Sequence, residues 1–367
     1  MLPETSVLKR TPLYSEHQKL HAKVVPFGGW DMPVSYEGIL SEYEHTRKSV
    51  SLFDICHMGE FLIDGDPQKC GLDRVVTQRL SDMPIKTCRY GLALNDNGGV
   101  IDDLIVYRLE QEKWMIVVNG ATTDKDAAHF LRHLTVRNVF KNISPLTGKL
   151  DIQGPASRDA LSTLIPGIQK LNYFEFDYFN FLGERNIVSR TGYTGELGYE
   201  VYFSWERTPE LWQKILENPA VKPAGLGARD VLRLEMCYSL YGQELEENIS
   251  PLEAGLEKFI DFEKDFIGKN ALLKQKKDGV KRKTIYFTSE TRQSPRHHYK
   301  IFSSEGKEIG IVTSGTFSPA LKRGIAIGFV AVNADLSSGE IYFGEENSKV
   351  AGQLSKRPFY RQGSLKN

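Results

Sequence analysis

The stretch GGVIDDLIVYRLEQEKWMIVVNG, residues 98–120, decides how this part of the chain folds. It follows YGLALN (90–95) across a turn rich in Asn, Asp and Gly, a pattern typical of a β-hairpin. Two adjacent acids, Asp102 and Asp103, stand inside its apolar run. Because neighbouring residues of a strand point to opposite faces, both carboxylates cannot face solvent if one face is buried. One of them is therefore expected against the core or in a binding site.

The residues around the paired acids leave two interpretations open. A buried carboxylate must be hydrogen-bonded, paired with a cation or bound to a ligand. In a structural role, it would be held by a nearby arginine or by backbone amides. In a functional role, it would be a catalytic acid or an acceptor for a cationic or N–H-bearing ligand.

The composition argues against several classes of protein. A chain of 367 residues with 40% hydrophobic and 26% charged residues is expected to fold into two or three domains. The 47 basic residues equal the 47 acidic residues, which argues against a global grip on nucleic acid or on a membrane. No signal peptide or membrane-spanning apolar segment is visible, so we expect a cytoplasmic protein. The four cysteines lack CxxC spacing, which indicates neither a zinc site nor a disulfide framework.

The rest of the chain mixes helices, strands and hairpins, which predicts an α+β fold. Helical patterns are found in 35–54, 66–83, 122–134 and 227–242, and the last of these is expected to carry Tyr238 on its apolar face. After about residue 280, short strands and turns dominate. This tail predicts a separate small barrel or sandwich.

A second unusual stretch is SRTGYTGELGYE, residues 189–200, in which a glycine recurs at every third position from Gly192 to Gly198. The structural interpretation is a tight, bulged hairpin that uses glycine for its special torsions. The functional interpretation is an aromatic loop that ends in the carboxylate of Glu200. Tyr193 and Glu200 would suit a flat heterocycle with N–H donors, the ring lying against the tyrosine and the acid accepting two hydrogen bonds.

The third stretch is PAGLGARD, residues 223–230, which has the glycines and polar residues of a helix start. Arg229 lies in the first turn, where a cation is unfavourable to the helix dipole. This position suggests a role for Arg229 outside the helix. The alternative is an ion pair with a nearby carboxylate.

Taken in order, these and other motifs cover nearly the whole chain, and their set is far more specific than any one of them. They resemble the glycine cleavage system T-protein family, the aminomethyltransferases. The motifs are RTPLY (10–14), FGGWDMPVSY (27–36), SLFDICHMGEF (51–61), NDNGGVIDDLIVY (95–107), VVNGA (117–121), QGPAS (153–157), SRTGYTGELGYE (189–200), PAGLGARDVLRLE (223–235), GQELEEN (242–248), DFIGKNAL (265–272), TSGTFSPALKRGIAIGFV (313–330) and KRPFY (356–360).

The resemblance implies a three-domain cloverleaf arranged around a central folate. A first folate-binding α+β domain would be discontinuous and comprise residues 1–54 and 146–275. A second α+β domain would comprise residues 55–145. A C-terminal all-β domain resembling a β-barrel would comprise residues 280–367.

The resemblance also implies a reaction, a co-substrate and a partner. The lipoylated H-protein would present an aminomethyl group on its lipoyl-lysine arm, and the methylene would pass to tetrahydrofolate. The products would be 5,10-methylenetetrahydrofolate, ammonia and dihydrolipoyl H-protein, with no metal, nucleic acid or membrane involved. The alternatives are a folate-binding relative without this transferase activity, a folate-dependent demethylase of a small substrate, and a non-catalytic scaffold.

Residue by residue, the resemblance places the essential aspartate of the family on Asp103, its pterin-gripping glutamate on Glu200 and the arginine of its GARD segment on Arg229. Cys56 stands where the family usually has serine, a nearly isosteric exchange that weakens hydrogen bonding. Arg361 follows the KRPFY segment near the expected pocket mouth, with no contact assigned to it. The other positions expected around the folate are Tyr90, Asn119, Tyr193 and Tyr238.

Overall fold

The structure, a computed structural model, describes residues 7–366. Within this range the chain forms twenty strands, which are arranged in three open sheets and one closed barrel. The strands are β1 Lys9–Arg10, β2 Lys23–Phe27, β3 Trp30–Ser35, β4 Val50–Asp54, β5 Gly59–Asp64, β6 Cys88–Leu94, β7 Val100–Glu110, β8 Lys113–Val118, β9 Phe140–Asn142, β10 Thr147–Gln153, β11 Phe176–Phe181, β12 Glu184–Ser189, β13 Gly198–Ser204, β14 Val221–Pro223, β15 Arg282–Ser289, β16 Lys300–Ser303, β17 Glu308–Ser318, β18 Arg323–Ala331, β19 Glu340–Glu345 and β20 Ser348–Leu354.

Eight α-helices lie between these strands in the described part of the chain. The helix predicted in 122–134 is confirmed as α4, and the helix predicted in 35–54 is confirmed in part as α2, since Val50–Asp54 forms strand β4 instead. The helices are α1 Tyr14–Lys19, α2 Ile39–Lys48, α3 Leu72–Val75, α4 Thr123–His133, α5 Ser157–Ser162, α6 Thr208–Leu216, α7 Leu226–Glu235 and α8 Lys269–Asp278.

Two further helix predictions were too long. The segment 66–83 contains only the single turn α3, because Gly71 enters it with a φ of 86° and Val76 leaves it to form a β-bridge. Helix α7 ends at Glu235, and Cys237 beyond it has a φ of 58°. Tyr238 therefore does not lie on a helical face, and its position is set by the irregular chain after α7.

The first large sheet has six strands in the order β11-β12-β13-β10-β4-β14. One face packs on α5 and α6 through an apolar core that includes Ile152, Val201 and Trp212. The opposite face carries polar residues, because the antiparallel register pairs Asp151 with Glu200 and places them side by side. The sheet thus has one structural face and one face with chemically active groups.

The second large sheet has the order β6-β7-β8-β5-β9 and contains the predicted hairpin. Strands β6 and β7 pair antiparallel across the Asn95–Gly99 turn, which confirms that prediction. One face of this sheet packs on α4 through Leu104, Val106 and Phe130. The side chains of the next residues along β7 point to the other face.

The free faces of the two large sheets meet in a buried cluster that includes Tyr107, Met115 and Tyr202. The Tyr202 hydroxyl donates a hydrogen bond to the Tyr107 hydroxyl at 2.9 Å, and the two rings lie edge to face with centroids 5.7 Å apart. This contact brings the polar face of the first sheet against the Asp103 face of the second.

The C-terminal strands close into a barrel in the order β15-β18-β17-β16-β19-β20. Its interior is filled by apolar side chains such as Phe287 and Phe343. Helix α7 packs on its outside through Leu234, which contacts Ile325 and Ile327. The mixed sheets and this barrel confirm the α+β fold class with a C-terminal barrel.

We propose that the domains follow these sheets, with boundaries as predicted from the sequence. The six-stranded sheet draws its strands from 50–54 and 147–223, the five-stranded sheet from 59–142 and the barrel from 282–354. This distribution supports domains at 1–54 with 146–275, at 55–145 and at 280–367. Residues 1–6 and 367 lie outside the described residues.

A buried ionic network joins α2, α7 and the loop before β13. Arg47, whose side chain is 6% exposed, donates to Glu196 and to Glu235 at 2.7 Å each. Glu196 also accepts from both the backbone N–H and the hydroxyl of Ser364, and Glu235 accepts from the hydroxyl of Ser318. One guanidinium therefore links the first sheet region, the barrel and the C-terminal tail.

We expect Arg47→Met to lower the stability of the protein strongly, because it leaves two buried carboxylates without their cation. The loss of one partner from a buried ionic network costs about 3–5 kcal/mol. The matched control is Lys48→Met, which removes the neighbouring, 75% exposed lysine and its surface pair with Glu44. That surface pair contributes at most about 1 kcal/mol. Urea unfolding measures the stability of both variants, and Arg47→Met should unfold at a lower urea concentration than Lys48→Met. Equal midpoints for the two variants would contradict this prediction.

Candidate functional site

The candidate site lies where the free faces of the two large sheets meet. Asp103 lies on the same face of β7 as Tyr107, and Glu200 lies on the same face of β13 as Tyr202, since residues two or four apart share a face. The contact between Tyr107 and Tyr202 therefore sets the two carboxylates on facing surfaces. The two residues that the family resemblance made central are thus on opposite walls of one site.

Asp103 is held by two hydrogen bonds, one from β6 and one from the residue that follows β8. The Tyr90 hydroxyl donates to its Oδ2 at 3.0 Å, and the Asn119 amide donates to its Oδ1 at 2.8 Å. Tyr90 is in turn braced by Phe259, with ring centroids 4.6 Å apart. Three of the expected site residues are therefore joined in one hydrogen-bonded group.

The environment of Asp103 changes its acidity. Burial, followed by the negative charge of Asp102, raises the pKa of Asp103 to about 7, while the bonds from Tyr90 and Asn119 act in the opposite direction. A carboxyl group with this pKa takes up or releases a proton near neutral pH. Asp103 can therefore serve as a carboxylate or as an acid within a narrow pH range.

Asp102 occupies the other face of β7 and has no exposed surface. The backbone N–H and the side-chain amide of Asn119 both donate to it, at 2.9 Å each. Asp102 is thus satisfied by amides, as the structural interpretation of the pair required. Its neighbour Asp103 is partly exposed at the facing surfaces of the sheets.

Glu200 is anchored through one of its oxygens. The Thr191 hydroxyl donates to Oε2 at 2.7 Å, and the Lys149 ammonium lies 3.3 Å from the same atom. Lys149 is almost completely buried, with 1% of its side chain exposed. The hydrogen bonds and ion pairs found within residues 7–366 involve only Oε2, so Oε1 is available to a ligand.

Arg229 forms the ion pair that the sequence allowed as an alternative. Its guanidinium contacts the buried carboxylate of Asp151 and lies over the ring of Tyr193, 5.2 Å from the ring centroid. Burial raises the pKa of Asp151 to about 6, although the Arg229 charge acts to lower it. The arginine of the GARD segment thus reaches out of α7 toward the polar face of the first sheet.

Tyr193 and Tyr238 form a stacked aromatic pair, with ring centroids 5.5 Å apart and planes inclined by 24°. The loop between β12 and β13, residues 190–197, is called the glycine–tyrosine loop. The Tyr193 hydroxyl donates to the carbonyl of Ser239, which connects this loop to the chain after α7. Tyr193 also lies within electrostatic reach of both Asp103 and Arg229. It therefore connects the two carboxylate groups of the site.

The glycines of the loop make room for a single side chain. A Cβ atom added at Gly192 or at Gly198 would lie 2.2 Å or 1.9 Å from the amide of Gln153. That amide donates to Asp151 at 2.6 Å and to the carbonyl of Thr191 at 3.0 Å. The glycine repeat is therefore a packing requirement that orders the Asp151 side of the site.

Sequence reasoning missed several buried polar residues of the site. The signal for two of them was present: in KLDIQ (149–153) every second residue is polar, so Lys149 and Asp151 share one strand face. Glu60 and His57 gave no comparable signal. Burial raises the pKa of Glu60 to about 8 and lowers that of His57 to about 4.

Other expectations concern metals, membranes and the C-terminus. Within residues 7–366, no group of His, Cys, Asp and Glu side chains is arranged to hold a metal ion. None of the helices in the described part of the chain has the length and apolar character needed to cross a membrane. Arg361 is exposed and donates to the carbonyl of Pro358 at 3.4 Å.

Cys56, where the family resemblance led us to expect serine, is buried and forms hydrogen bonds with the neighbouring strand. Its thiol contacts the backbone carbonyl and N–H of Lys149, both at 3.3 Å, and its own backbone N–H donates to Asp54 at 2.8 Å. The exchange is accommodated next to the strand that carries Lys149.

Two family models match the chain in order. The model described as the GCVT N-terminal domain matches residues 13–264, and that of the glycine cleavage T-protein C-terminal barrel domain matches residues 282–361. Together they cover most of the chain, including both large sheets and the barrel.

Similar proteins and a similar solved structure agree with these models. The aminomethyltransferase of Pseudothermotoga lettingae is 41% identical over 364 residues, which cover 98% of this chain and 100% of that protein. The aminomethyltransferase of Flavobacterium psychrophilum is 38% identical over 97% of this chain and 100% of its own length. The crystal structure of the glycine cleavage system aminomethyltransferase T from Bartonella henselae superposes with a TM-score of 0.90 at 31% identity, covering 97% of this chain and 99% of that one.

The cloverleaf fold and the aminomethyltransferase activity expected from the sequence are thereby confirmed, and nothing found favours the alternative functions. With its site residues set on the facing sheets of that fold, the chain belongs to the glycine cleavage T-protein family and is an aminomethyltransferase.

Proposed function

We propose that the chain transfers the methylene of an aminomethyl group, carried on the lipoyl-lysine of an H-protein, to tetrahydrofolate. Two folate N–H groups and the S–CH₂–NH₂ unit react to give an N–CH₂–N bridge, a thiol and ammonia. The products are 5,10-methylenetetrahydrofolate, ammonia and dihydrolipoyl H-protein. The observation that carries this proposal is the placement of Asp103 and Glu200 on facing sheets, with the guanidinium of Arg229 over the Tyr193 ring, 5.2 Å from its centroid.

The residues present fit a pterin. Glu200 is an acceptor with one oxygen held by Thr191 and Lys149 and the other available, which suits the N–H donors on the edge of such a ring. Tyr193 offers a flat aromatic surface beside it. These features support Glu200, Arg229, Tyr90, Asn119, Tyr193 and Tyr238 as the folate-binding set.

Asp103 is proposed as the catalytic residue. When a folate nitrogen attacks the methylene, positive charge develops on that nitrogen. A carboxylate held in a buried site by Tyr90 and Asn119 offsets this charge without having to reorganise. The role supported by the structure is therefore electrostatic stabilisation and orientation of the folate amines.

The first prediction concerns Asp103→Asn. The amide keeps the shape of the side chain but removes the negative charge, so we expect turnover to fall by about 100-fold or more. Tetrahydrofolate affinity should change little, since the pterin grip is assigned to Glu200. The measurement is methylenetetrahydrofolate and ammonia formation from aminomethylated H-protein. The matched control is Asp96→Asn, an exposed acid in the turn of the same hairpin; equal losses in both variants would refute the assignment.

The second prediction concerns Glu200→Gln. Glutamine retains one acceptor oxygen and turns an NH₂ group toward the other ligand donor. The loss of a charge-assisted hydrogen bond of about 1.5–3 kcal/mol weakens tetrahydrofolate binding by roughly 10- to 100-fold. Calorimetric titration checks this, with Asp103→Asn as the comparison variant. Unchanged affinity in Glu200→Gln would exclude its role in gripping the pterin.

The third prediction concerns pH. Because the pKa of Asp103 is raised to about 7, the carboxylate form predominates above that pH and the neutral acid below it. If the carboxylate is the active form, kcat/KM should fall about tenfold for each pH unit below the pKa, since this parameter reports the free enzyme. This decrease at low pH is the acid limb of the pH profile. The residual activity of Asp103→Asn should lack it. Persistence of the limb in that variant would assign it to another group.

A further inference from the structure

Behind Asp103, on the other face of β7, lies a second pair of acids. Asp102 is 0% exposed, and Asp126 of α4 is 1% exposed. Their carboxyl groups lie within side-chain hydrogen-bonding reach of each other, but two ionised carboxylates have no hydrogen to donate, and both oxygens of Asp126 lack a partner within residues 7–366. The nearby Thr122 hydroxyl donates to the carbonyl of Asn119, and no other N–H or O–H donor within residues 7–366 reaches the oxygens of Asp126.

The charge of this pair is not balanced by a neighbouring cation. Lys125, the basic residue next to Asp126 in sequence, donates to the Tyr241 hydroxyl at 2.6 Å and to Glu247 at 2.9 Å. Neither Asp102 nor Asp126 forms an ion pair among the ion pairs of residues 7–366. Two buried carboxylates close together repel each other, and one proton between them removes the repulsion and supplies the donor that Asp126 lacks within residues 7–366.

The raised pKa values of Asp102 and Asp126 agree with a proton bound between the two carboxyl groups. Burial and the charge of Asp126 raise the pKa of Asp102 well above its usual value. Burial raises the pKa of Asp126 to about 7. Carboxyl groups that interact this strongly titrate as a pair, so a proton between them would belong to neither residue alone.

Asn119 connects the acid pair to Asp103. Its side-chain amide donates to Asp102 Oδ1 at 2.9 Å and to Asp103 Oδ1 at 2.8 Å, while its backbone N–H donates to Asp102 Oδ2 at 2.9 Å. An amide has only two hydrogens to donate. The hydrogen bond to Asp102 therefore determines which edge of Asn119 faces Asp103.

We propose that Asp102 and Asp126 share one proton and act as a positioning pair, which holds the Asn119 amide against Asp103 and keeps one negative charge behind it. This inference rests on the proposed function, because its purpose is to prepare Asp103 for the reaction. The pair lies on the far face of β7 and acts on the reaction only through Asn119 and through its charge.

The charge of the pair has a defined effect on Asp103. The titratable groups that face it are Asp103, Tyr90 of β6, Lys125 of α4 and Tyr241 from the loop after α7. Among them, Asp103 is raised in pKa by the charge of Asp102, second only to burial. Removing that charge lowers the pKa of Asp103, so its carboxylate persists to lower pH.

Infrared spectroscopy of protein labelled with ¹³C-aspartate tests the shared proton directly, without reference to activity. We expect a protonated-carboxyl C=O band at neutral pH that is lost in Asp126→Asn, since the new amide donates to Asp102 and leaves it fully ionised. Both proteins carry Asp103→Asn, because Asp103, whose pKa is about 7, would otherwise contribute a protonated-carboxyl band of its own. The matched control is Asp124→Asn on the same helix, where the side chain is 87% exposed. A band that survives in Asp126→Asn would overturn the proposal.

Kinetics test the positioning role. In Asp102→Asn we expect kcat to fall roughly tenfold through loss of orientation, with KM for tetrahydrofolate unchanged and the acid limb of kcat/KM displaced to lower pH. Asp126→Asn retains Asp102 as the acceptor for Asn119 and should keep the limb in place. A kcat loss in Asp102→Asn without displacement of the limb would refute the link to Asp103.

The two proposals fail in different ways. Absence of methylene transfer by the wild-type enzyme would refute the proposed function, whereas the infrared comparison would still decide whether the proton is shared. If Asp102→Asn does not fold, Asp126→Asn alone decides that question, because its conservative amide preserves the hydrogen bond to Asp102.

Discussion

The arrangement of the molecule depends on the two buried ion pairs that the guanidinium of Arg47 forms. It lies at the end of α2 and binds Glu196 of the glycine–tyrosine loop and Glu235 at the end of α7. Each of these carboxylates then holds a further part of the chain, the C-terminal tail through Ser364 and the barrel through Ser318. Because a buried charge without its partner is so costly, these elements must assemble together.

This constraint reaches the site through the two elements that Arg47 holds. The glycine–tyrosine loop carries Tyr193 and leads into the strand of Glu200, and α7 carries Arg229. Tyr193 also stacks on Tyr238 and donates to the Ser239 carbonyl, so the loop is joined to the chain after α7 by a second set of contacts. The aromatic and cationic parts of the site therefore depend on the network that joins α2, α7 and the loop before β13, which Ser318 and Ser364 connect to the barrel and to the C-terminal tail.

The site keeps its charges in compensated pairs while leaving selected groups available. Lys149 offsets Glu200, and Arg229 offsets Asp151, so these buried groups do not stand uncompensated before a ligand arrives. Within residues 7–366, the donors to Asp103 are the neutral groups of Tyr90 and Asn119, and burial raises its pKa to about 7. Because no cation of these residues pairs with Asp103, its charge is free to act on a positive centre that forms during the reaction.

Local pattern and tertiary contact each determined a different part of this protein. The alternation of side chains in β7 was readable from the sequence, and it alone required Asp102 and Asp103 to part to opposite faces. Local sequence patterns likewise predicted the hairpin turn, α2, α4 and the C-terminal strands. The family resemblance named Asp103, Glu200 and Arg229, and the structure brings all three to one region.

Only the tertiary structure decided what these residues contact. The helix expected in 66–83 shrank to α3 because Val76 finds a strand partner in Ala93, a residue distant in sequence. The partners of Glu200 and Arg229 are Lys149 and Asp151, which lie on β10, and no local pattern specifies which side chains a neighbouring strand will present. The acidity of Asp103 follows mainly from burial, which arises only when the sheets pack together, and then from the charge of the adjacent Asp102.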